Sequence, residues 1–414
     1  MREQSGHKVR VAMTLVATAT VVLAAGGWQP LAVAATGPAA AGKTILRGWG
    51  TNDDGAIGNG SGALNVLAPM RVKVPKGVVI GSVRAGCDHS VAVTSAGSVL
   101  AWGDNTEGQV GDGTTKTRKV PAAVKLPKGT KVTAARAGCD HSLALTKSGA
   151  VLAWGLNLFG QLGDGTKKNR DAPVKVKLPK GTKIKAISAG CDDGFALSTT
   201  GKLYAWGLNN DGQLGDGTKK NRKNPVVIKF PAGTKITAIT AGCTHTLALT
   251  TAGLWGWGLN SAGQLGTGDM KSTDVPVAIF FLFRGQGPGK IISIFAGCFQ
   301  TIALFSKGAV LAWGANNVGQ LGNGSSAPNS VKPVGVMLPA NIKVKAISAG
   351  CYNGYALTST GQVYAWGINT SGELGNGSTS PDINVPVLVH LPTASPAVAI
   401  GSGPAALHAF AISP

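Results

Sequence analysis

Cys87, Cys139, Cys191, Cys243, Cys298 and Cys351 are the six cysteines of the chain, and successive members are 52, 52, 52, 55 and 53 residues apart. An even count of thiols at near-constant spacing permits three disulfide bridges, and a thiolate cluster is also a natural zinc donor set. Two of the cysteines open Cys-Asp-His triplets, at 87–89 and 139–141. The third and fourth copies read Cys-Asp-Asp and Cys-Thr-His, and the last two read Cys-Phe-Gln and Cys-Tyr-Asn. Adjacent residues of a strand point to opposite faces, so one triplet does not converge on an ion. A metal site would have to draw its ligands from several copies, and we expect no metal and no cofactor. His89, His141 and His245 are expected to form hydrogen bonds inside their own units.

Other chemical signals read as structure. Gly37 to Thr44 satisfies the phosphate-loop pattern G-x4-G-K-[ST]. That loop works by joining a strand to a helix whose first amides cradle phosphate. Here it leads into a strand-like T-I-L-R-G-W-G, so it reads as a chance match in an Ala/Gly linker. Glutamate occurs only at 3, 107 and 373, so paired-carboxylate catalysis would rest on aspartate. Asp112, Asp164 and Asp216 each precede Gly, where turn geometry explains them. The serines lack a nucleophile-elbow context. Asn-Gly-Ser at 59, 323 and 376 fits glycosylation grammar but repeats one turn. We expect no enzyme.

The elements that would position these residues come from a repeat. Trp49, Trp102, Trp154, Trp206, Trp257, Trp313 and Trp366 are each followed by Gly, with gaps of 53, 52, 52, 51, 56 and 53 residues. A period near fifty marks one supersecondary unit copied in tandem. In the unit beginning at Ile187, two apolar runs flank Thr-Thr-Gly, which reads as a hairpin ending at Trp206. L-N-N-D-G-Q-L-G-D-G-T supplies sharp turns, P-V-V-I-K-F-P a third strand, and K-I-T-A-I-T-A-G a fourth. Four short strands per unit with no helical period describe an all-β, seven-bladed β-propeller of about 52-residue repeats. The chain enters on a Trp strand without its hairpin partner and leaves on H-A-F-A-I-S at 408–413 without its Trp strand. Pairing the two terminal strands would close the ring and remove the exposed sheet edges.

Sevenfold geometry bears on the thiols. Equivalent atoms of neighbouring blades are separated by about 0.87 of their distance from the axis, so the roughly 4.4–6.8 Å of a disulfide requires a radius of about 5–8 Å, at the channel rim. A copied unit duplicates its cysteine without needing a partner, so small packing side chains are the expected role; bridging stays open. The unit A-G-C-D-H-S-L-A-L-T…V-L-A-W-G-L-N-L-F-G-Q-L-G-D-G-T at 138–166 resembles the repeat of the regulator of chromosome condensation family. The resemblance covers the chain from residue 44 on. It implies a seven-bladed propeller and, by analogy alone, guanine-nucleotide exchange and chromatin docking.

Charge and the ends of the chain shape the functional expectation. The formal net charge is +21, and residues 116–235 hold 23 Lys or Arg against seven Asp, or +16. Residues 1–35, with a basic start, the apolar run Val11 to Ala25 and Ala32-Val33-Ala34, read as a signal peptide, and 36–43 as a linker. We therefore expect a secreted, extracellular binding propeller at 44–414, associated with the cell wall or another matrix. The first candidate ligand is an anionic polymer, a polysaccharide or cell-wall polymer, with nucleic acid allowed without specificity. It would be held by Lys116, Arg118, Lys167, Lys168, Arg170, Lys219, Lys220 and Arg222. The alternative is a specific protein partner. A secreted β-lactamase-inhibitor propeller of actinomycetes resembles this architecture and presents aromatics just after each Ala-Gly. The matching rim here is Asp88, Asp140, Asp192, Thr244, Phe299 and Tyr352, of which only two are aromatic. The fifth unit departs from the pattern at 278–290, where Phe280, Phe281 and Phe283 suggest a lengthened buried strand or an exposed apolar bump.

Overall fold

Strand-forming runs of alternating Val, Ile, Leu and Ala, punctuated by Gly-rich turns, build seven four-stranded antiparallel sheets in the computed structural model. The structure describes residues 44–281 and 287–414. The expected signal peptide, the linker, the phosphate-loop match short of Thr44, and Phe283 lie outside the described residues. Among the described residues there is no helix.

Six blades are continuous in sequence, from Ile80–Ala85 in the first to Ile383–Leu388 in the sixth. The seventh is built from both ends: its strands, from axis to periphery, are Ala399–Gly401, His408–Ser413, Ile45–Thr51 and Asn65–Arg71. The closing register runs from Ile45 opposite Ser413 to Gly50 opposite His408. In each continuous blade the strand nearest the axis comes first, and the Trp-Gly strand is third. Antiparallel alternation therefore places the Ala-Gly-Cys turns and the long post-Trp loops on one face. The hairpins between second and third strands share the opposite face with the crossings to the next blade.

The hydrophobic cores lie between blades. One cluster joins Val91, Val93 and Ala101 of the first blade to Ala135, Ala144 and Trp154 of the second. The same pattern continues around the ring to a cluster joining Trp49 to Tyr355 and Leu357. All seven repeat tryptophans are fully buried, each removing on the order of 4–6 kcal/mol of apolar surface from water. A blade therefore completes its core only against its neighbour, and closure of the ring supplies the last interface.

Candidate functional site

The repeat motif W-G-x-N…G-Q-L-G is a scaffold rather than a chemical site. Each tryptophan Nε1–H donates across the interface to a backbone carbonyl of the preceding blade, for example Trp154 to Gln109 at 2.9 Å and Trp206 to Gln161 at 2.9 Å. Trp49 closes the series by donating to Glu373 at 2.9 Å. The motif asparagine pins its own loop: Asn209 Oδ1 accepts the Leu214 amide, and its Nδ2 donates to the carbonyls of Thr218 and Lys220. The glycine after Gln-Leu must stay glycine. At Gly215 φ is +76°, and a Cβ there would lie 2.7 Å from the Trp257 ring.

The six cysteines follow the innermost strands of their blades, and their spacing meets the condition that sevenfold geometry sets for a bridge. The Cα atoms of Cys243 and Cys298 are 4.5 Å apart, and those of Cys298 and Cys351 are 4.6 Å apart. The sulfur of Cys298 lies within bonding reach of both neighbours. Cys87, Cys139 and Cys191 are half-buried free thiols in the structure, and Cys139 is within hydrogen-bond reach of the other two. The thiol hydrogen bond and burial push the Cys87 thiol well up. Backbone bonds stitch the same layer, Cys87 N–H to Cys139 carbonyl at 3.3 Å and Cys139 N–H to Cys191 carbonyl at 2.9 Å. The preceding glycine permits this approach, since a Cβ on Gly86 would sit 2.5 Å from the Gly138 carbonyl oxygen. Pro404 occupies the seventh position, and Cys243 reaches its carbonyl at 3.7 Å. The sulfurs of Cys191, Cys243 and Cys298, from three blades, lie within 4.8 Å of one another. Simple packing thus understates these thiols: they form one contiguous layer.

The histidines correct an expectation. His89 Nε2 meets Ser142 at 2.9 Å, His245 meets Thr301 at 3.1 Å and His408 meets Ser90 at 2.8 Å. All three contacts cross to the next blade instead of staying inside one. The partner stands one residue after the histidine position of the following repeat, a regularity visible in the sequence once the interfaces are known. His141 has no such contact, because Gly194 fills that position in the third blade. Burial holds His89 down to about 4 and His141, His245 and His408 to about 3.

The rim divides into two halves. Asp88, Asp140 and Asp192 occupy consecutive blades and are half-buried, while Thr244, Phe299 and Tyr352 occupy the next three and Ala405 the seventh. Burial, then the charges of Asp192, Asp104, Asp88 and Glu107, raises the Asp140 carboxyl to about 6. Burial, then Asp54, Asp104 and Asp53, raises Asp88. These further acids sit on the post-Trp loops, so the acidic half-rim is larger than the sequence reading allowed.

The basic arc also needs correction. Arg118, Arg170 and Arg222 are committed to ion pairs with Asp112, Asp164 and Asp216 at 2.6, 2.8 and 2.6 Å. Each aspartate also accepts from a Thr hydroxyl in its own turn, so these arginines brace turns instead of presenting charge. Lys116, Lys167, Lys168, Lys219 and Lys220 are exposed. Sequence reasoning missed a second group: Lys128, Lys131, Lys147 and Lys175 line a groove of about 580 Å³ on the hairpin face. The recurring K-L-P-K-G-T-K crossings at 125–131 and 177–183 were the available signal. Inside the channel, Arg84 and Arg136 line a cavity of about 50 Å³ with Ser188 and Thr240. Burial lowers them to about 10 and about 9, and no carboxylate lies within ion-pair distance among the described residues.

In the fifth unit the outer strand ends at Ile279, so it is not lengthened through the phenylalanines. Phe280 is 82% exposed, whereas Phe281 packs edge-on against Trp313 at 5.3 Å.

Comparison with known proteins agrees with this architecture. The RCC1-like domain matches residues 46–408. The ultraviolet-B receptor UVR8 of Arabidopsis thaliana is 33% identical over 347 residues, covering 83% of this chain and 77% of that protein. The human E3 ubiquitin-protein ligase HERC2 is 32% identical over 344 residues, which cover 82% of this chain but 7% of HERC2. Among solved structures, yeast RCC1 (Prp20) bound to Kap60 superposes with a TM-score of 0.81 at 22% identity, over 97% of this chain and 96% of that one. Human WBSCR16 superposes at 0.80 with 24% identity, over 90% and 99% of the two chains.

Proposed function

This chain belongs to the RCC1-like domain family, and from that premise we propose a non-enzymatic binding propeller that is exported and holds an anionic polymer on its lysine-rich arc. The observation that carries this reading is the division of labour among the cations. Arg118, Arg170 and Arg222 are neutralised within their turns. Exposed lysines of the same blades, including Lys128, Lys131 and Lys147 along the groove, meet no carboxylate within ion-pair distance among the described residues. A flexible ammonium suits repeated, non-specific contact with phosphate or carboxylate groups better than one rigid recognition geometry. Binding of a teichoic acid or of duplex DNA should weaken about a thousandfold or more between about 0.05 and 0.5 M salt, as condensed counterions cease to be released. Substituting Lys128, Lys131 and Lys147 by Gln should weaken it at low salt. Affinity that ignores salt would overturn the reading.

A protein partner at the face opposite the lysine groove is the second reading, and the acidic half-rim favours it. Yeast RCC1 (Prp20), of the same fold, has been solved bound to Kap60, and Prp20p of Saccharomyces cerevisiae has been characterised for its binding to Gsp1p and histones. A basic protein docking on Asp88, Asp140 and Asp192, with Phe299 and Tyr352 as apolar anchors, would be expected to lose affinity on Tyr352→Ala.

A further inference from the structure

We infer that oxidation of the cysteine layer has a single complete outcome, the three bridges Cys87–Cys139, Cys191–Cys243 and Cys298–Cys351. Neighbouring blades bring the Cα atoms of Cys243 and Cys298 to 4.5 Å and those of Cys298 and Cys351 to 4.6 Å, inside the range a disulfide spans. In a sevenfold ring a neighbour spacing of 4.5 Å puts the Cα atoms of cysteines two blades apart about 8 Å from one another, beyond the span of a disulfide. Only neighbours pair, even though the sulfurs of Cys191 and Cys298 approach within 4.8 Å. Pro404 at the seventh position breaks the circle. The six thiols are therefore an open row, in the order 87, 139, 191, 243, 298 and 351. A row of six pairs off completely in one way only, because Cys87 has Cys139 as its single neighbour and Cys351 has Cys298.

The apparent competition at Cys298, whose sulfur reaches both Cys243 and Cys351, is settled by the same rule. A sulfur holds one disulfide. Choosing Cys243 strands Cys351 beside Pro404; choosing Cys351 leaves Cys243 free for Cys191. Likewise a Cys139–Cys191 bridge strands Cys87. Incomplete pairings keep free thiols next to disulfides; thiol–disulfide exchange moves the two stranded thiols along the row until they are neighbours, and the oxidant then closes the last bridge.

The oxidant is a disulfide, small-molecule or enzymatic. One cysteine thiolate attacks it, forming a mixed disulfide and releasing one thiol. The neighbouring thiolate then attacks the protein sulfur of that mixed disulfide and releases the second thiol. Each bridge consumes one oxidant disulfide and yields two thiols, the two cysteine protons ending on them. The product is a ring clasped at three of its seven blade interfaces. The seventh blade, which pairs the two terminal strands, has no clasp and is held by that pairing and by its packing against the first and sixth blades.

The test is to reduce the purified full chain, incubate it with oxidised glutathione above about pH 8, where thiolate forms, and map cross-linked peptides by mass spectrometry after alkylation. Because the thiols are half-buried or buried, a parallel sample is refolded from denaturant in the same glutathione buffer. The expected result is the three named linkages with no alkylated cysteine. Cys351→Ser keeps five cysteines, so each molecule should carry one alkylated thiol and the Cys243–Cys298 linkage should appear. Accumulation of Cys139–Cys191 or Cys243–Cys298 in the unaltered chain would overturn the inference. Six alkylated cysteines, or lasting glutathione adducts, in the refolded sample would overturn it too.

Discussion

His245 and Asp140, at adjacent positions of the repeat motif in two different blades, show how burial sets opposite pH dependences. His245 is fully buried against Thr301, and desolvation holds it to about 3, whereas an unfolded histidine titrates near 6.5. Between those values the unfolded chain binds the extra proton. The stability contribution is therefore complete above about 6.5 and is lost as pH falls towards the folded value. Glutamine occupies the same repeat position at Gln300. His245→Gln should accordingly lose less melting temperature than the unaltered protein between about pH 7 and pH 4; equal losses would refute the account. Asp140 runs the other way. Its folded value of about 6 lies above the unfolded value of about 3.9, so stability falls as pH rises through that window. Asp140→Asn should melt higher than the unaltered chain above about pH 7, with the gain vanishing near pH 4 in matched thermal scans.

The blade loop after each tryptophan is the element on which both faces depend. It has no strand ladder of its own, so a single asparagine supplies partners to the backbone groups that the turn leaves over. Between the third and fourth blades, the pinned loop delivers the Gln213 carbonyl to Trp257 at 2.9 Å. Asn209→Ala removes the acceptor of the Leu214 amide and the donor to Thr218 and Lys220. Leaving such buried groups without partners costs about 2–4 kcal/mol in total, so chemical denaturation should show a lower midpoint with an unchanged slope. A loss below about 0.5 kcal/mol would mean that water replaces the side chain.

At the scale of the whole molecule, closure decides stability, because every core lies between two blades. Removing residues 400–414 takes away His408–Ser413, the partner of Ile45–Thr51. It also strips Phe410 from the cluster around Trp102. The truncated chain should lose its cooperative thermal transition, followed by circular dichroism; unchanged melting would show that the ring does not need its closing strand. Charge is unevenly spread over the ring. Acidic residues gather at the Ala-Gly-Cys rim, and Lys116, Lys167, Lys168, Lys219 and Lys220 stand on the post-Trp loops of that same face. The lysine groove opens on the hairpin face, so a partner held in the groove would not compete with one seated on the rim.

The seven Trp-Gly pairs, the turn glycines and the complementary terminal strands were enough to read a closed seven-bladed ring before any coordinates. Each of those features is local or periodic, and a copied unit repeats its own structural instructions. Symmetry and the reach of a disulfide gave the radius that bridging would require, and only the folded ring showed neighbouring thiols close enough to meet it. What the sequence left undecided were relations between repeats. Whether His89 bonds within its blade or to Ser142 depends on which side chains face each other across an interface, and residues 53 apart carry no local signal of that. Charge counting marked Arg118, Arg170 and Arg222 as free cations, and only the folded turn showed each one held by an aspartate six residues earlier. The acidic half-rim arises in the same way, from loops of separate blades converging on one face. Periodicity determines a ring; tertiary contact decides which of its charges remain available to a partner.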